Sequence, residues 1–162
     1  MAGYDFQNYV GALVTLVPLL SDFTVNPTTT YGGLTAVGTV VIGVPAPAGG
    51  VVVNLASSLA GTSVPATLTI PEGAVSADFN VVTTPVAAIS TTTLTVTYGA
   101  TSLSTTLTVK PLALSSFTLD TSTVLGGFGA VGTATITAPA PPGGLTLTVT
   151  SSLAAASVPA TV

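Results

Sequence analysis

The residues whose spacing most resembles a chemical motif are three glycines near position 130. Gly127, Gly129 and Gly132 stand at the G-x-G-x-x-G spacing within the stretch GGFGAVGT. In a dinucleotide-binding turn, such glycines let the backbone approach a pyrophosphate at the N-terminus of a helix. Here the stretch TATITAPAP follows, which predicts a strand ending in prolines and not a helix. We therefore expect no phosphate site at these glycines.

The ionisable side chains are few, and their types exclude most catalytic and binding chemistry. Charged residues make up 4% of the chain, Lys110 is its one basic side chain, and histidine and cysteine do not occur. Zinc sites need histidine or cysteine, a serine nucleophile needs a base, and nucleic-acid binding needs several cations. We therefore expect no enzyme activity, no cofactor and no nucleic-acid partner.

Glu72 and Asp78 form the one carboxylate pair close enough in sequence to consider as a metal site. Calcium takes about six to eight oxygen ligands, usually from several carboxylates. Two carboxylates six positions apart more often belong to solvated loops, so we expect no metal here.

The composition is typical of an all-β protein. Hydrophobic residues make up 48% of the chain, and threonine, serine, glycine and proline supply much of the remainder. Apolar residues alternate with threonines in seven short runs, which predicts strands with one buried face. These runs are FTV, GTVVIGV, VVVNL, ATLTI, ADFNV, TLTVTYG and TLTV, within residues 23–109.

A long internal repeat organises the chain. The segment from Ser21 to Leu68 aligns with the segment from Ser115 to Val162 at a constant offset of 94 residues, with 25 identities over 48 positions. Biased composition alone does not hold one register without gaps over that length. A period near 94 is too long for a solenoid unit and matches an immunoglobulin-like sandwich of about 100 residues.

The repeat divides the chain into three parts. Residues 1–20 precede it, residues 21–111 form a first immunoglobulin-like sandwich (unit 1), and residues 112–162 form the first half of a second one (unit 2). Unit 2 has no counterpart of residues 69–111, so it would leave strand edges and a core face open. We expect the missing strands to come from further residues of the same chain or from another chain.

The motifs of the repeat resemble those of a known class of domains. GG-x4-GT-x5-PAP-x-GG, then SS, then SVPAT, resembles the tandem immunoglobulin-like repeats of large bacterial surface and secreted proteins, and similar modules occur on phage virions. The resemblance covers residues 21–162. It implies an antiparallel β-sandwich acting as stalk, spacer, adhesin or surface decoration, and it carries over no catalytic residues.

The first twenty residues have no counterpart in the repeat. Their apolar residues recur at spacings of three and four, which predicts a short helix, with a strand over VGALVTLV as the alternative. The segment lacks the basic start of a signal peptide and is too short to span a bilayer. We expect it to mediate assembly or attachment, through Phe6, Tyr9, Val10, Leu13, Leu16, Val17 and Leu20.

These observations predict a structural protein at an extracellular, cell or virion surface. It would be the subunit of a filament, fibre or decoration that self-assembles or attaches to a larger particle through residues 1–20. One alternative is an adhesin or glycan-binding module that contacts a host surface through loops at one sandwich end. Another is donor-strand exchange, in which Val10–Leu20 completes unit 2 of a neighbouring chain.

Overall fold

The computed structural model describes residues 19–162, and every regular element in that range is a β-strand. The all-β prediction is therefore confirmed for the described part. The strands are β1 (Leu20–Asn26), β2 (Thr29–Tyr31), β3 (Thr35–Ile42), β4 (Val51–Ser57), β5 (Thr62–Ser63), β6 (Thr67–Ile70), β7 (Ser76–Thr83), β8 (Ser90–Tyr98), β9 (Thr101–Lys110), β10 (Leu114–Leu119) and β11 (Gly132–Ile136).

Unit 1 is a two-layer sandwich. One sheet has the order β1-β3-β7-β5, and the other has the order β2-β9-β8-β4-β6. All strand pairs are antiparallel except β2 with β9, which are parallel. Seven strands of this arrangement follow the immunoglobulin order, because the first, third, seventh and fifth share one sheet while the fourth, eighth and ninth share the other.

The core lies between the two sheets and is built by the predicted alternation. In β3, β4, β7 and β8 every second side chain is buried and its neighbours are more exposed. A β-branched or aliphatic side chain at each inward position gains about 1.5–3 kcal/mol from leaving water. The most deeply buried apolar residues are Val40, Ile42, Val53, Ile70, Val81, Leu94, Val96, Leu107 and Val109.

Two short strands, β2 and β5, were not predicted from the sequence. β2 has three residues and β5 has two, so neither is long enough to show an alternation. Each contributes a buried threonine, Thr30 in β2 and Thr62 in β5. Both strands lie at sheet edges, where pairing with one neighbour suffices to define a strand.

The outward face of β8 and β9 is a ladder of hydroxyl groups. Thr93 pairs with Thr106 and Thr95 with Ser104, and the hydroxyls of the second pair lie 3.3 Å apart. Threonine keeps a strong preference for strands without placing a charge on the surface. The low charge of the sequence is therefore compatible with a water-facing sheet.

The one strand pair of unit 2 repeats the first strand pair of unit 1. β10 and β11 pair in a register that equals that of β1 and β3 shifted by 94 residues, so that Leu20↔Ile42 corresponds to Leu114↔Ile136. The register irregularity after the first residue of β1 also recurs in β10. The sequence identity thus extends to the hydrogen-bonding pattern of the two units.

Candidate functional site: the cleft of unit 2

Most of the predicted assembly residues lie outside the described part of the chain. These are Phe6, Tyr9, Val10, Leu13, Leu16 and Val17. Leu20, which we expected on the same segment, instead begins β1, pairs with Ile42 and is 8% exposed. Its side chain belongs to the core of unit 1, since the alternation of β1 starts one residue earlier than the repeat boundary predicted.

The two carboxylates considered as calcium ligands make separate contacts. Asp78 lies on β7, where it accepts a hydrogen bond of 2.7 Å from the Thr39 hydroxyl across the strand pair. Glu72 lies in the turn before β7 and faces the backbone N–H of Gly49 at 3.4 Å. Between residues 19 and 162, no three His, Cys, Asp or Glu side chains come together as metal ligands.

The glycines of GGFGAVGT serve two different backbone requirements. Gly127 has a φ of 91°, the left-handed conformation that glycine adopts without strain, in a turn closed by a 3.1 Å bond from Phe128 N–H to Leu125 C=O. Gly132 begins β11, with Phe117 of β10 against it. No helix follows, so the stretch lacks the geometry of a dinucleotide-binding turn.

Unit 1 shows why a glycine is needed at the position of Gly132. Gly38, its counterpart in β3, lies opposite Phe79 of β7, and a Cβ atom on Gly38 would overlap the Phe79 ring. That ring also stacks on Phe23 of β1, with centroids 6.1 Å apart and planes inclined by 24°. Gly38 and Phe23 together form a socket for the aromatic side chain of the adjacent strand.

The end of β7 also binds the turn that precedes β3. The Thr83 hydroxyl, at the end of β7, donates to Leu34 C=O at 2.7 Å and accepts from Gly33 N–H at 3.1 Å. Its side chain is 3% exposed, so these bonds form away from water, where an unpaired polar group is costly. Thr83 therefore ties the glycine turn to the sheet.

In unit 2 the residues equivalent to Phe23 and Val25 line an open cleft. Phe117 is 49% exposed, whereas its counterpart Phe23 is 6% exposed, and Leu119 is 55% exposed against 4% for Val25. The cleft measures about 440 Å³ and is mostly apolar. Its lining includes Phe117, Leu119, Ala130, Gly132, Ala134, Leu145, Leu147, Val149, Val158 and Val162.

The cleft has the chemistry of a binding surface and not of a catalytic centre. Its side chains are aliphatic or aromatic, with Ser157 supplying the one hydroxyl in its lining. The unpaired edge of β11 adds backbone donors and acceptors, because β11 pairs only with β10 in the described part of the chain. Sequence reasoning predicted an open core face here but could not identify the residues that line it.

No protein family and no curated protein sequence matches this chain. Among solved structures, it is similar to the D00-D0 domain of Intimin with a TM-score of 0.47 and 15% sequence identity. The similarity covers 62% of this chain and 50% of that one, so the chain spans half the length of that structure. The immunoglobulin-like assignment of unit 1 rests on its own strand order. In residues 19–162 we find no helix with the length and hydropathy to cross a membrane.

Proposed function

We propose that this protein is a non-enzymatic structural component of a surface assembly. Residues 1–18 mediate assembly or attachment to a larger particle, and the immunoglobulin-like units project from it as a stalk or spacer. The assembly is an extracellular filament, a fibre, or a decoration on a cell or virion.

The observation that carries this proposal is the shared register of one strand pair, β1 with β3 in unit 1 and β10 with β11 in unit 2. Sandwich domains repeated along a chain would add length to an assembly without requiring any specific chemistry. The charge-poor hydroxyl face of β8 and β9 supports the same role, because it offers neither a cationic nor an acidic surface to a charged ligand. Several polar side chains of the described residues are used within the sandwich itself, as in the hydrogen bonds of Thr39 with Asp78, Thr83 with Leu34 and Thr95 with Ser104.

Substitutions in the N-terminal segment test the assembly role. We expect L13D together with L16D to abolish higher-order particles seen by electron microscopy while leaving the circular dichroism of the sandwich unchanged. Q7D together with T15D adds the same charge at polar positions of the segment and should assemble normally. Assembly by both double variants would refute the role of this segment.

A second candidate function is adhesion through the loop tip of unit 2. Phe128 and Leu125 are 74% and 76% exposed on the glycine turn, which is a large apolar area for a surface loop. A glycan array or a host-cell binding assay tests this function. Saturable binding that F128A removes, and that the control V124A keeps, would favour adhesion over a purely structural role.

A further inference from the structure

We propose that units 1 and 2 are held at a fixed angle by an interaction surface between them. In it, the proline turn of unit 2 (residues 141–144) packs on the glycine turn of unit 1 (residues 31–34). A Cβ atom on Gly33 would stand 2.7 Å from the Cβ of Pro141 and 3.0 Å from its Cγ, so the proline ring lies directly on the glycine backbone. This inference concerns the joint between the units, goes beyond the proposed structural role and does not depend on it.

The glycine turn is a fixed platform on unit 1. The Gly32 N–H donates a hydrogen bond of 2.9 Å to the C=O of Lys110, the last residue of β9. The Thr83 hydroxyl of β7 binds the turn from the other side, through the Gly33 N–H and the Leu34 C=O. Because β7 and β9 belong to different sheets, the turn is bonded to both layers of the sandwich.

The absence of a side chain at Gly33 has two separate reasons. Its φ of 92° is a conformation that residues with a Cβ rarely adopt, and a Cβ there would also overlap Pro141. The counterpart in unit 2, Gly127, has nearly the same φ of 91°, but no atom lies within 4 Å of its Cβ position. Contact with a proline is therefore a requirement of Gly33 that the turn itself does not impose.

The proline turn of unit 2 is formed by local bonds and presents its ring in a defined position. The Gly144 N–H donates to the Pro141 C=O at 2.9 Å, and the same bond joins Gly50 to Pro47 at 2.8 Å in unit 1. Pro47 is exposed, whereas Pro141 is half-buried. A ring with a fixed φ in a closed turn loses little conformational freedom when it packs, which favours the contact.

The linker between the units leaves few torsions for the contact to restrain. It has three residues, Pro111 to Ala113, between the end of β9 and the start of β10. Ala113 is already bonded to unit 2, since its N–H donates to the Thr137 hydroxyl at 3.2 Å and its C=O accepts from the Thr137 N–H at 3.0 Å. The ring of Pro111 fixes one further torsion. One contact beside so short a linker is sufficient to set the angle between the units.

A distance measurement between spin labels on the two units tests this joint. The labels are attached to T24C and T118C, equivalent exposed positions of β1 and β10, in the full chain, which has no native cysteine. We expect one narrow distance distribution by pulsed electron paramagnetic resonance. P141G should widen it at least about twofold, because linked domains without a substantial interface move relative to each other. P142G removes the neighbouring exposed ring and should leave the width unchanged.

A second pair of variants separates the contact from backbone strain. G33A and G127A each place a Cβ at a φ near 90°, but only G33A brings it against Pro141. We expect G33A to shift or widen the distribution and G127A to preserve it. G33A combined with P141G should give the distribution of P141G alone, since both changes remove the same contact.

Labels at T118C and T148C, both within unit 2, control for the folding of that unit and should give the same distribution in every variant. Four results would overturn the proposal. They are a native distribution between the units as wide as that of P141G, equal widths for P141G and P142G, equal effects of G33A and G127A, and a widening within unit 2 that accompanies P141G. The last result would place the effect of the proline in the folding of unit 2 and not in the joint.

Discussion

At the scale of single residues, the packing of side chains across β1, β3 and β7 of unit 1 depends on a glycine without a side chain. Gly38 sits in the middle of β3, where glycine is intrinsically unfavourable, yet the ring of Phe79 lies over its Cα. The glycine therefore serves packing and not flexibility, because its φ is not positive. Gly132 stands at the equivalent position of unit 2, at the start of β11.

A substitution at Gly38 measures this contact. We expect G38A to lower the free energy of unfolding by about 1–3 kcal/mol in urea denaturation, because the added methyl group overlaps the Phe79 ring. G43A, where the nearest atom is 3.9 Å from the added carbon, should stay within about 0.5 kcal/mol of the native protein. Native stability of G38A would contradict the packing described here.

Two buried threonines of unit 1 should respond in opposite directions to the same substitution. T83V removes the hydroxyl that binds Gly33 and Leu34, and we expect a loss of about 1–3 kcal/mol because those backbone groups stay buried. Thr62 is equally buried, but its hydroxyl has no hydrogen-bond partner in the described part of the chain, so T62V should be neutral or stabilising. Thermal unfolding of both variants measures the difference. A loss for T62V as large as that for T83V would contradict the absence of a partner for the Thr62 hydroxyl, and native stability of T83V would contradict the role of Thr83.

At the scale of strands, the alternation of apolar and polar residues was sufficient to predict the long strands but not the two short strands at the sheet edges. The seven predicted strands of unit 1 are all present, as β1, β3, β4, β6, β7, β8 and β9. A strand of two or three residues carries too few positions for a period of two, which is why β2 and β5 were missed. Their pairing depends on partners 79 and 21 residues away, Thr108 for Thr29 and Thr83 for Thr62.

The candidate site was predictable only in part, for a similar reason. The repeat aligned unit 2 with the part of unit 1 that precedes β7, β8 and β9, and shared glycines marked positions with a backbone constraint. Nothing in the spacing showed that Gly38 makes room for an aromatic ring, because that ring, Phe79, lies 41 positions after Gly38 on another strand. Only the strand register reveals that relation.

Hydrogen exchange should separate the strands of the two units. β8 and β9 lie inside a five-stranded sheet, whereas β10 and β11 form a sheet of two strands with exposed side chains. Two strands alone are marginally stable in water, so we expect their amides to exchange at least about a hundredfold faster than those of β8. Exchange-mass spectrometry resolves the segments, and equal protection would indicate that the cleft is covered in solution.

At the scale of the whole molecule, unit 1 has a complete core of its own. The core of unit 1 includes Leu20 at one end and Val109 at the other, so the sandwich uses almost its whole sequence for folding. In unit 2, β10 and β11 form a two-stranded sheet with the register of β1 and β3. Residues 1–18 have no counterpart in the sequence repeat, and we propose that they mediate attachment.

The most direct test of the central claim is the particle mass of the full chain compared with that of a chain lacking residues 2–18, measured by sedimentation velocity. The deletion stops before Leu20 and so keeps β1 and the core of unit 1 intact. We predict large assemblies for the full chain and a folded monomer for the shortened one. Particles of equal mass from both chains would contradict the account, because assembly would then reside in the sandwich units and not in the N-terminal segment.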